Sequence, residues 1–363
     1  MDVSPFPYQG PLEPHMVRAR RELVDDLIER VSERRVTALL GPRRFGKTSV
    51  LRRVAADLIA AGTAIVWVDL YEVASLADVA ARFDDALGRV TGRFAEVANR
   101  YAAAASINLG FVSLQLRAPG RDRLDPVLTF HALLDVLVRS TGDVPTMLVC
   151  DEFAGISRVT GAAGILRTRL QHHYQDLGLV FAGSEPSMMR MLFADQAQPF
   201  YAQADLVEVE PLLDIEVLDL VTTGFAATGR DAGPLPPRIV EFTEGHPQRT
   251  MQCADACWRR VAPGSTASQD TWLDGLEAVR SATADEHERL YSSLQHSEKA
   301  VMRALASGGS IFGTAAQVLD LPVGSAQHAR SQLVDRGHVV RRGERYFVVD
   351  PVFADWIRRR LPT

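Results

Sequence analysis

The sequence predicts an α/β protein with a mainly parallel sheet, then a helical segment, then a small C-terminal unit of helices and one hairpin. Three observations carry this. Short apolar runs at Val36–Leu40, Ala64–Leu70, Thr146–Cys150, Gly178–Ala182 and Leu206–Val209 alternate with stretches of helical spacing, the pattern of βαβ units. After Pro211 the strand-like runs stop and helical spacing takes over. From about Ser297 a third pattern begins, with short helices and then the alternating, basic stretch Val339–Val348. The boundaries expected from these changes are 1–214, 215–290 and 291–363.

Val17–Val31 reads as an amphipathic lead-in helix and Val36–Leu40 as a buried strand ending at Gly41. Lys47–Ala61 places Val50, Leu51, Val54 and Leu58 on one helical face and stops near Gly62. Ala64–Leu70 is the second strand. Residues 75–145 are largely helical, interrupted by Ser106–Arg117, which alternates like a strand or hairpin. Helices are expected at Ile215–Thr228, Pro237–Thr243, Pro247–Arg260 and Asp270–Leu294, with Pro263–Ser268 as a loop.

Between the first strand and its helix lies Gly41-Pro42-Arg43-Arg44-Phe45-Gly46-Lys47-Thr48, which fits G-x-x-x-x-G-K-[ST] at every fixed position. The strand before and the amphipathic helix after supply the context that the motif requires. In such a loop successive backbone N–H groups point inward at phosphates, and the helix adds its positive dipole end. Gly41, Arg44, Gly46 and Ser49 belong to this cradle, Lys47 reaches the β and γ phosphates, and Thr48 supplies a hydroxyl to Mg²⁺. Lys47 is one of only two lysines among 40 basic residues. A chain otherwise committed to arginine keeps here a compact point charge, which a triphosphate in a tight loop requires.

Hydrolysis also needs a carboxylate for the metal and a group that activates water. The strand Thr146–Cys150 ends in Asp151-Glu152, with Asp151 placed to hold Mg²⁺ and Glu152 to polarise the water. The competing reading is a pair that only ends a strand and caps a helix.

Composition narrows the alternatives. With 47% hydrophobic and 23% charged residues and a net charge of -5, the 363-residue chain is expected to be a globular protein with a real core and no general polycation. Met1–Pro14 lacks a basic segment and an apolar core, so no secretory signal is expected. The uncharged run Tyr101–Leu116 falls short of the ~20 residues of a membrane span, so no membrane partner is expected. Cys150, Cys253 and Cys257 are too few for a disulfide framework and fit a reducing cytoplasm. Cys253 and Cys257, one helical turn apart in an apolar pattern, read as core residues rather than metal ligands.

Gly41–Ser49, Asp151-Glu152-Phe153, Gly183-Ser184, Gly245-His246-Pro247 and the ending Tyr346–Trp356 (YFVVDPVFADW) together resemble the archaeal-type ATPases of the AAA+/STAND group of P-loop proteins. The resemblance spans nearly the whole chain, in order. It implies an ATPase with an AAA+-like α/β domain, a helical lid and a C-terminal winged helix-turn-helix, using ATP/ADP and Mg²⁺. It further implies that Ser184 reads the γ-phosphate, that Pro247 packs on the adenine and that Arg249 is the lid arginine, with His246 a lesser phosphate contact. For Gly245-His246-Pro247 a plain helix stop and restart is the alternative. The sequence departs from the family in two places. Val17–Leu23 resembles its V-G-R-x-x-E-L without the glycine. Gln203, in Phe200–Ala204, stands where an arginine that acts on a neighbour's nucleotide often lies. Arg190 is a candidate substitute, and the expected behaviour is that of a slow, switch-like ATPase.

In the C-terminal unit, helices are expected at Ser297–Ala306, Gly313–Leu319 and Ala326–Arg336, with a turn at Pro322–Ser325 and a helix stop at Gly337. With the hairpin around Gly343 this is a winged helix-turn-helix. From Ser297 onward it carries ten basic and six acidic residues, +4 on a chain of -5. Ser325, Gln327, His328 and Arg330 could face a major groove of duplex DNA, with Arg341, Arg342 and Arg345 on its backbone or minor groove. The alternatives are an internal regulatory unit, and a protein partner or second copy of the chain.

Overall fold

The computed structural model describes residues 2–110, 112, 116, 124–311 and 322–361. Five parallel strands form the central sheet in the order β2-β3-β4-β1-β5, where β1 is Val36–Leu40, β2 Ala64–Asp69, β3 Thr146–Asp151, β4 Gly178–Gly183 and β5 Asp205–Glu208. Every residue of β3 and β4 is buried. Helices cover both faces of the sheet, which is why these strands read as unbroken apolar runs rather than alternating ones. On one face lie α1 (Arg21–Ser32) and α2 (Lys47–Ala60), packed through Leu27, Leu51 and Val54 against Leu39, Val149 and Val180. On the other lie α3 (Leu76–Arg89), α4 (Gly92–Ala104) and α5 (Pro126–Asp143), around the edge-to-face pair Phe83–Phe130. The short α6 (Ala162–Leu170) and α7 (Pro186–Ala194) follow β3 and β4.

The helical segment contains α8 (Asp214–Ala226), α9 (Leu235–Thr243), α10 (Pro247–Trp258) and α11 (Gln269–Ser293). They close over a second core that includes Val221, Phe225, Ile239, Cys253 and Trp258. Cys253 and Cys257 are buried free thiols within it, and the described residues contain no cluster of metal-ligating side chains. A third core holds the last unit together: α12 (His296–Ala306), α13 (Val323–Asp335), the antiparallel hairpin β6 (Val339–Arg342) and β7 (Arg345–Val348), and α14 (Pro351–Arg360). Among the described residues no helix is long and apolar enough to cross a membrane.

Three expectations need revision. The lead-in helix starts at Arg21, because Arg20 adopts a left-handed conformation with φ 63°. Ser106–Arg117 is not an alternating strand where it is described: Val112 and Leu116 are helical and both buried, an i, i+4 pair on one face. The remainder of 111–123 lies outside the described residues, as does Gly313–Leu319. Finally, Val323–Ser325 is the first turn of α13 rather than a free turn, with Pro322 as its N-cap.

The segment before α1 is built into the fold. Phe6 is 1% exposed and packs 5.6 Å from Phe225, over Gly224, where any Cβ would overlap its ring. The Leu12 N–H donates to Ser49 Oγ at 3.0 Å, so residues 6–12 run from the helical segment to α2.

Candidate functional site

The loop 41–46 leaves β1 at a narrow place. A Cβ on Gly41 would stand 3.1 Å from the Val209 Cβ. Arg44 (φ 67°) and Gly46 (φ 82°) both take the left-handed conformation, so the chain folds back before α2 begins. Lys47, at the first position of α2, is 5% exposed and donates from Nζ to the Gly41 carbonyl (2.7 Å) and the Pro42 carbonyl (2.9 Å). Burial pushes its ammonium down to about 8, while the Glu152 and Asp151 carboxylates pull it back up.

The two carboxylates follow from the end of β3. Asp151 is 7% exposed, accepts from Thr48 Oγ1 at 3.3 Å through Oδ2 and from the Glu152 N–H at 3.0 Å through Oδ1. Burial, then the neighbouring Glu152, push its carboxyl up to about 6. Glu152 is left-handed (φ 49°), and this turns its carboxylate across the strand ends: Oε2 accepts from Ser184 Oγ at 2.7 Å and from the Ser184 N–H at 3.3 Å. Ser184 can meet it because β4 lies between β1 and β3 in the sheet. The loop, the Asp-Glu pair and the serine thus stand at the C-terminal ends of three adjacent strands, where open parallel sheets bind ligands.

These residues open on a cavity of about 290 Å³. Arg44, Gly46, Lys47, Thr48, Ser49, Glu152, Ser184 and Pro247 line it. Gly41 contributes the carbonyl that holds Lys47, and Asp151 joins through Thr48. A second cavity, about 610 Å³, touches Thr48, Asp151 and Glu152 from the side of Trp67, Asp69 and Arg82.

Arg249 is placed differently. It is 3% exposed, does not line the first cavity, and donates from Nε to both oxygens of Asp350 at 3.0 Å and from NH2 to Oδ2, with NH1 on Gln252 at 2.6 Å. Burial opposes ionisation of Asp350, but His287 and the Arg249 guanidinium hold its carboxyl well below the usual range. His246 caps α10, its Nδ1 accepting from the Arg249 N–H. Its ring stands edge-on to Phe45 of the loop at 4.9 Å, and burial pushes its imidazole down to about 4, so it is neutral. Arg44 reaches Glu286 of α11 at 3.1 Å. Val349 and Val340 of the last unit join the core that contains Phe45. The loop is therefore in contact with both later units.

The cavity is also lined by Val17 and Arg20, from the lead-in stretch that resembles V-G-R-x-x-E-L, and by Tyr8, Leu12 and Met16, which no motif marked. Arg20 binds the Phe45 carbonyl and donates to the Glu210 carbonyl at 2.6 Å, and its backbone N–H donates to Glu216. The signal available in the sequence was two aromatic residues, Phe6 and Tyr8, inside a proline-rich stretch that composition alone marks as a loop.

In the last unit Arg341 and Arg345 are exposed beside Gly343 at the hairpin tip, whereas Arg342 pairs with Glu244 of the helical segment at 3.5 Å and Arg330 lies over the Tyr346 ring at 4.4 Å. Ser325, Gln327 and His328 are exposed on α13, which also packs against α7. Arg190 pairs with Glu208, and Gln203 donates to the Tyr201 carbonyl at 3.4 Å.

The combination defines an α/β protein with a mainly parallel five-stranded sheet between helices, followed by helical segments and a tail of helices with one antiparallel hairpin. No family model and no curated protein matches the sequence. Among solved structures, the fold is similar to that of the Walker-type ATPase PABY2304 of Pyrococcus abyssi, at 20% identity over 98% of this chain and 99% of that one, with a TM-score of 0.71. At that identity the likeness establishes a shared fold. Weaker similarity extends to the ORC1 protein of Aeropyrum pernix in complex with DNA, at 15% identity over 95% of this chain and 93% of that one, TM-score 0.47.

Proposed function

We propose that this chain binds ATP with Mg²⁺ in the first cavity and hydrolyses it slowly, as an AAA+/STAND-type switch in which a lid (215–290) and a winged helix (291–363) respond to the nucleotide held by 1–214. The observation that carries the reading is the convergence on one cavity of a buried lysine, Thr48, which donates to Asp151 behind it, and the Glu152 carboxylate held by Ser184. The loop N–H groups and Lys47 suit a triphosphate. Thr48 and Asp151 suit a divalent cation: a hydroxyl and a buried carboxylate stand 3.3 Å apart, and the carboxylate's raised proton affinity marks negative charge in need of compensation. When bound, Mg²⁺ supplies neutralisation of charge developing on the phosphates. Glu152, oriented by two hydrogen bonds from Ser184, accepts the proton of the attacking water. Gln203 in place of a trans arginine supports slow turnover, since such an arginine contributes ~10³-fold or more.

The test is equilibrium binding of ATP, with solution mass in its presence and absence, for the parent, Lys47→Ala and Glu152→Gln. Lys47→Ala should weaken binding roughly 100-fold, the loss of charge-assisted contacts. Glu152→Gln should bind ATP and not turn it over. Normal ATP binding by Lys47→Ala overturns the assignment.

A second reading, nucleotide-gated binding of duplex DNA, is supported by the exposed Arg341 and Arg345 and the exposed polar face of α13. It predicts a salt-dependent mobility shift that disappears when Arg341, Arg342 and Arg345 are changed together. The Arg342–Glu244 pair favours instead an internal or protein-facing role for the tail. No shift at low salt in either nucleotide state supports that role.

A further inference from the structure

A third cavity, of about 360 Å³, lies on the seam between the helical segment and the last unit. Three guanidinium groups reach it from three different elements: Arg238 of α9, Arg342 of β6 and Arg358 of α14. None is tightly paired there. Arg238 stands 3.4 Å from Glu241 and Arg342 3.5 Å from Glu244, against the ~2.7–2.9 Å of a close charge-assisted bond. Arg358 donates from NH1 to the Ala306 carbonyl at 3.0 Å and has no carboxylate partner among the described residues. Glu241 and Glu244 are the acidic groups of the wall. Their side chains are 75% and 57% exposed, more than those of the arginines they meet, so water already supports them and little holds them in place. The carbonyl end of α9 reaches the same wall at Thr243 and Glu244, and Arg342 offsets its partial charge. Apolar residues fill the wall between the arginines: Phe242 and Trp272 meet edge to face at 5.8 Å, beside Leu276 and Phe347.

We propose that this cavity is a second ligand site, separate from the first cavity, that takes a phosphate monoester with a small planar body. A guanidinium fork binds two oxygens carried on one atom. Three forks arriving from different directions suit a tetrahedral group with three free oxygens and two charges. A planar carboxylate, with two oxygens and one charge, leaves at least one fork unused. The volume is that of a small-ligand pocket and more than a bare phosphate fills, and the Phe242–Trp272 side gives the remainder of the ligand an aromatic surface. A ligand bound there touches α9 of the helical segment together with β6 and α14 of the last unit, and so fastens the two beside the Arg249–Asp350 pair. The proposal is independent of what the first cavity holds.

The experiment is calorimetric titration of the full chain with phenyl phosphate, with benzoate as the planar monoanion and inorganic phosphate as the bare anion. Phenyl phosphate should bind ~10-fold or more tightly than either. Because a phosphate ester also suits the first cavity, variants separate the two sites. Lys47→Ala should leave the affinity for phenyl phosphate within about twofold, since the sites share no residue. Arg342→Gln with Arg358→Gln should lower it ~10- to 100-fold, the loss of charge-assisted hydrogen bonds. Arg238→Gln keeps the test valid if that double variant does not fold, because the Arg238 side chain is half exposed and pairs only with Glu241. Alone it should weaken binding ~5- to 10-fold. Binding that survives unchanged in the arginine variants, or that disappears in Lys47→Ala, overturns the proposal. So does equal affinity for benzoate, or no binding of phenyl phosphate by the parent at millimolar concentration.

Discussion

Arg249 of α10 and Asp350, the residue that caps α14, form a buried ion pair across 101 positions of sequence, with Nε of the arginine 3.0 Å from each carboxylate oxygen. Asp350 also accepts the N–H groups of Val352 and Phe353, so one side chain starts the last helix and fastens it to α10. Breaking such a pair leaves an uncompensated charge in the interior. Asp350→Ala should destabilise the protein by about 3–5 kcal/mol, with Asp350→Asn, which keeps the cap, less severe. Arg249→Met with Asp350→Asn should cost much less than the sum of the single changes. Denaturant titration of the parent, Asp350→Ala, the two single changes of the cycle and the double checks this, and additive costs would exclude the coupling.

Asp151 makes stability depend on pH in an unusual direction. Its folded value, raised by burial and then by Glu152 from 3.8 to about 6, means that the folded state prefers the protonated form. The stability that this contributes is complete below about pH 4 and is lost as pH rises through 6. Asp151→Asn should therefore raise the stability of the nucleotide-free protein by about 1–3 kcal/mol at pH 7.5 and leave it nearly unchanged at pH 4. Thermal melting across that range is the measurement. An equal effect at both values would mean that the penalty lies elsewhere.

Ser184 donates twice to Glu152 and so sets the direction of the carboxylate. Ser184→Ala removes the shorter bond and keeps the backbone one. Single-turnover hydrolysis should slow about 10- to 100-fold while ATP affinity stays within about twofold. A large loss of affinity with an unchanged rate would assign the hydroxyl to binding instead.

Gly245 has φ 72°, and any Cβ there would strike the Leu212 carbonyl. Its own carbonyl accepts from the Leu212 N–H at 2.8 Å. Gly245→Ala should cost about 2 kcal/mol or more and should be read first in the local stability around α8 and α10 by amide exchange. A neutral substitution would show that the turn can relax.

The elements that read clearly in the sequence are those whose pattern is local. β1, β2, β3 and β4 lie within one residue of the apolar runs that mark them, because strands buried on both faces leave a continuous signal. The loop 41–48 was equally plain, since its glycines and lysine answer a local backbone demand. What stayed hidden depends on partners far away in sequence. No periodicity shows that Arg249 turns to Asp350 rather than into the cavity, or that Tyr8 meets Gln248. Ser106–Arg117 misled for the opposite reason: strand and helix periods both place Val112 and Leu116 on one face, so the alternation fits either, and the backbone there is helical.

The segment that runs from Phe6 under α8 to Leu12 on α2 also sets a condition on synthesis. Tyr8 meets its hydrogen-bond partner 240 positions further along the chain. Until Gly224 and Gln248 have been made, Phe6 has nowhere to be buried and one wall of the cavity does not exist. A chain stalled after its five strands could form the sheet and the loop, yet it would carry an unsealed pocket. The first cavity is therefore closed only late in synthesis, by contacts of long sequence separation, the kind whose loop-closure entropy makes them slow to form.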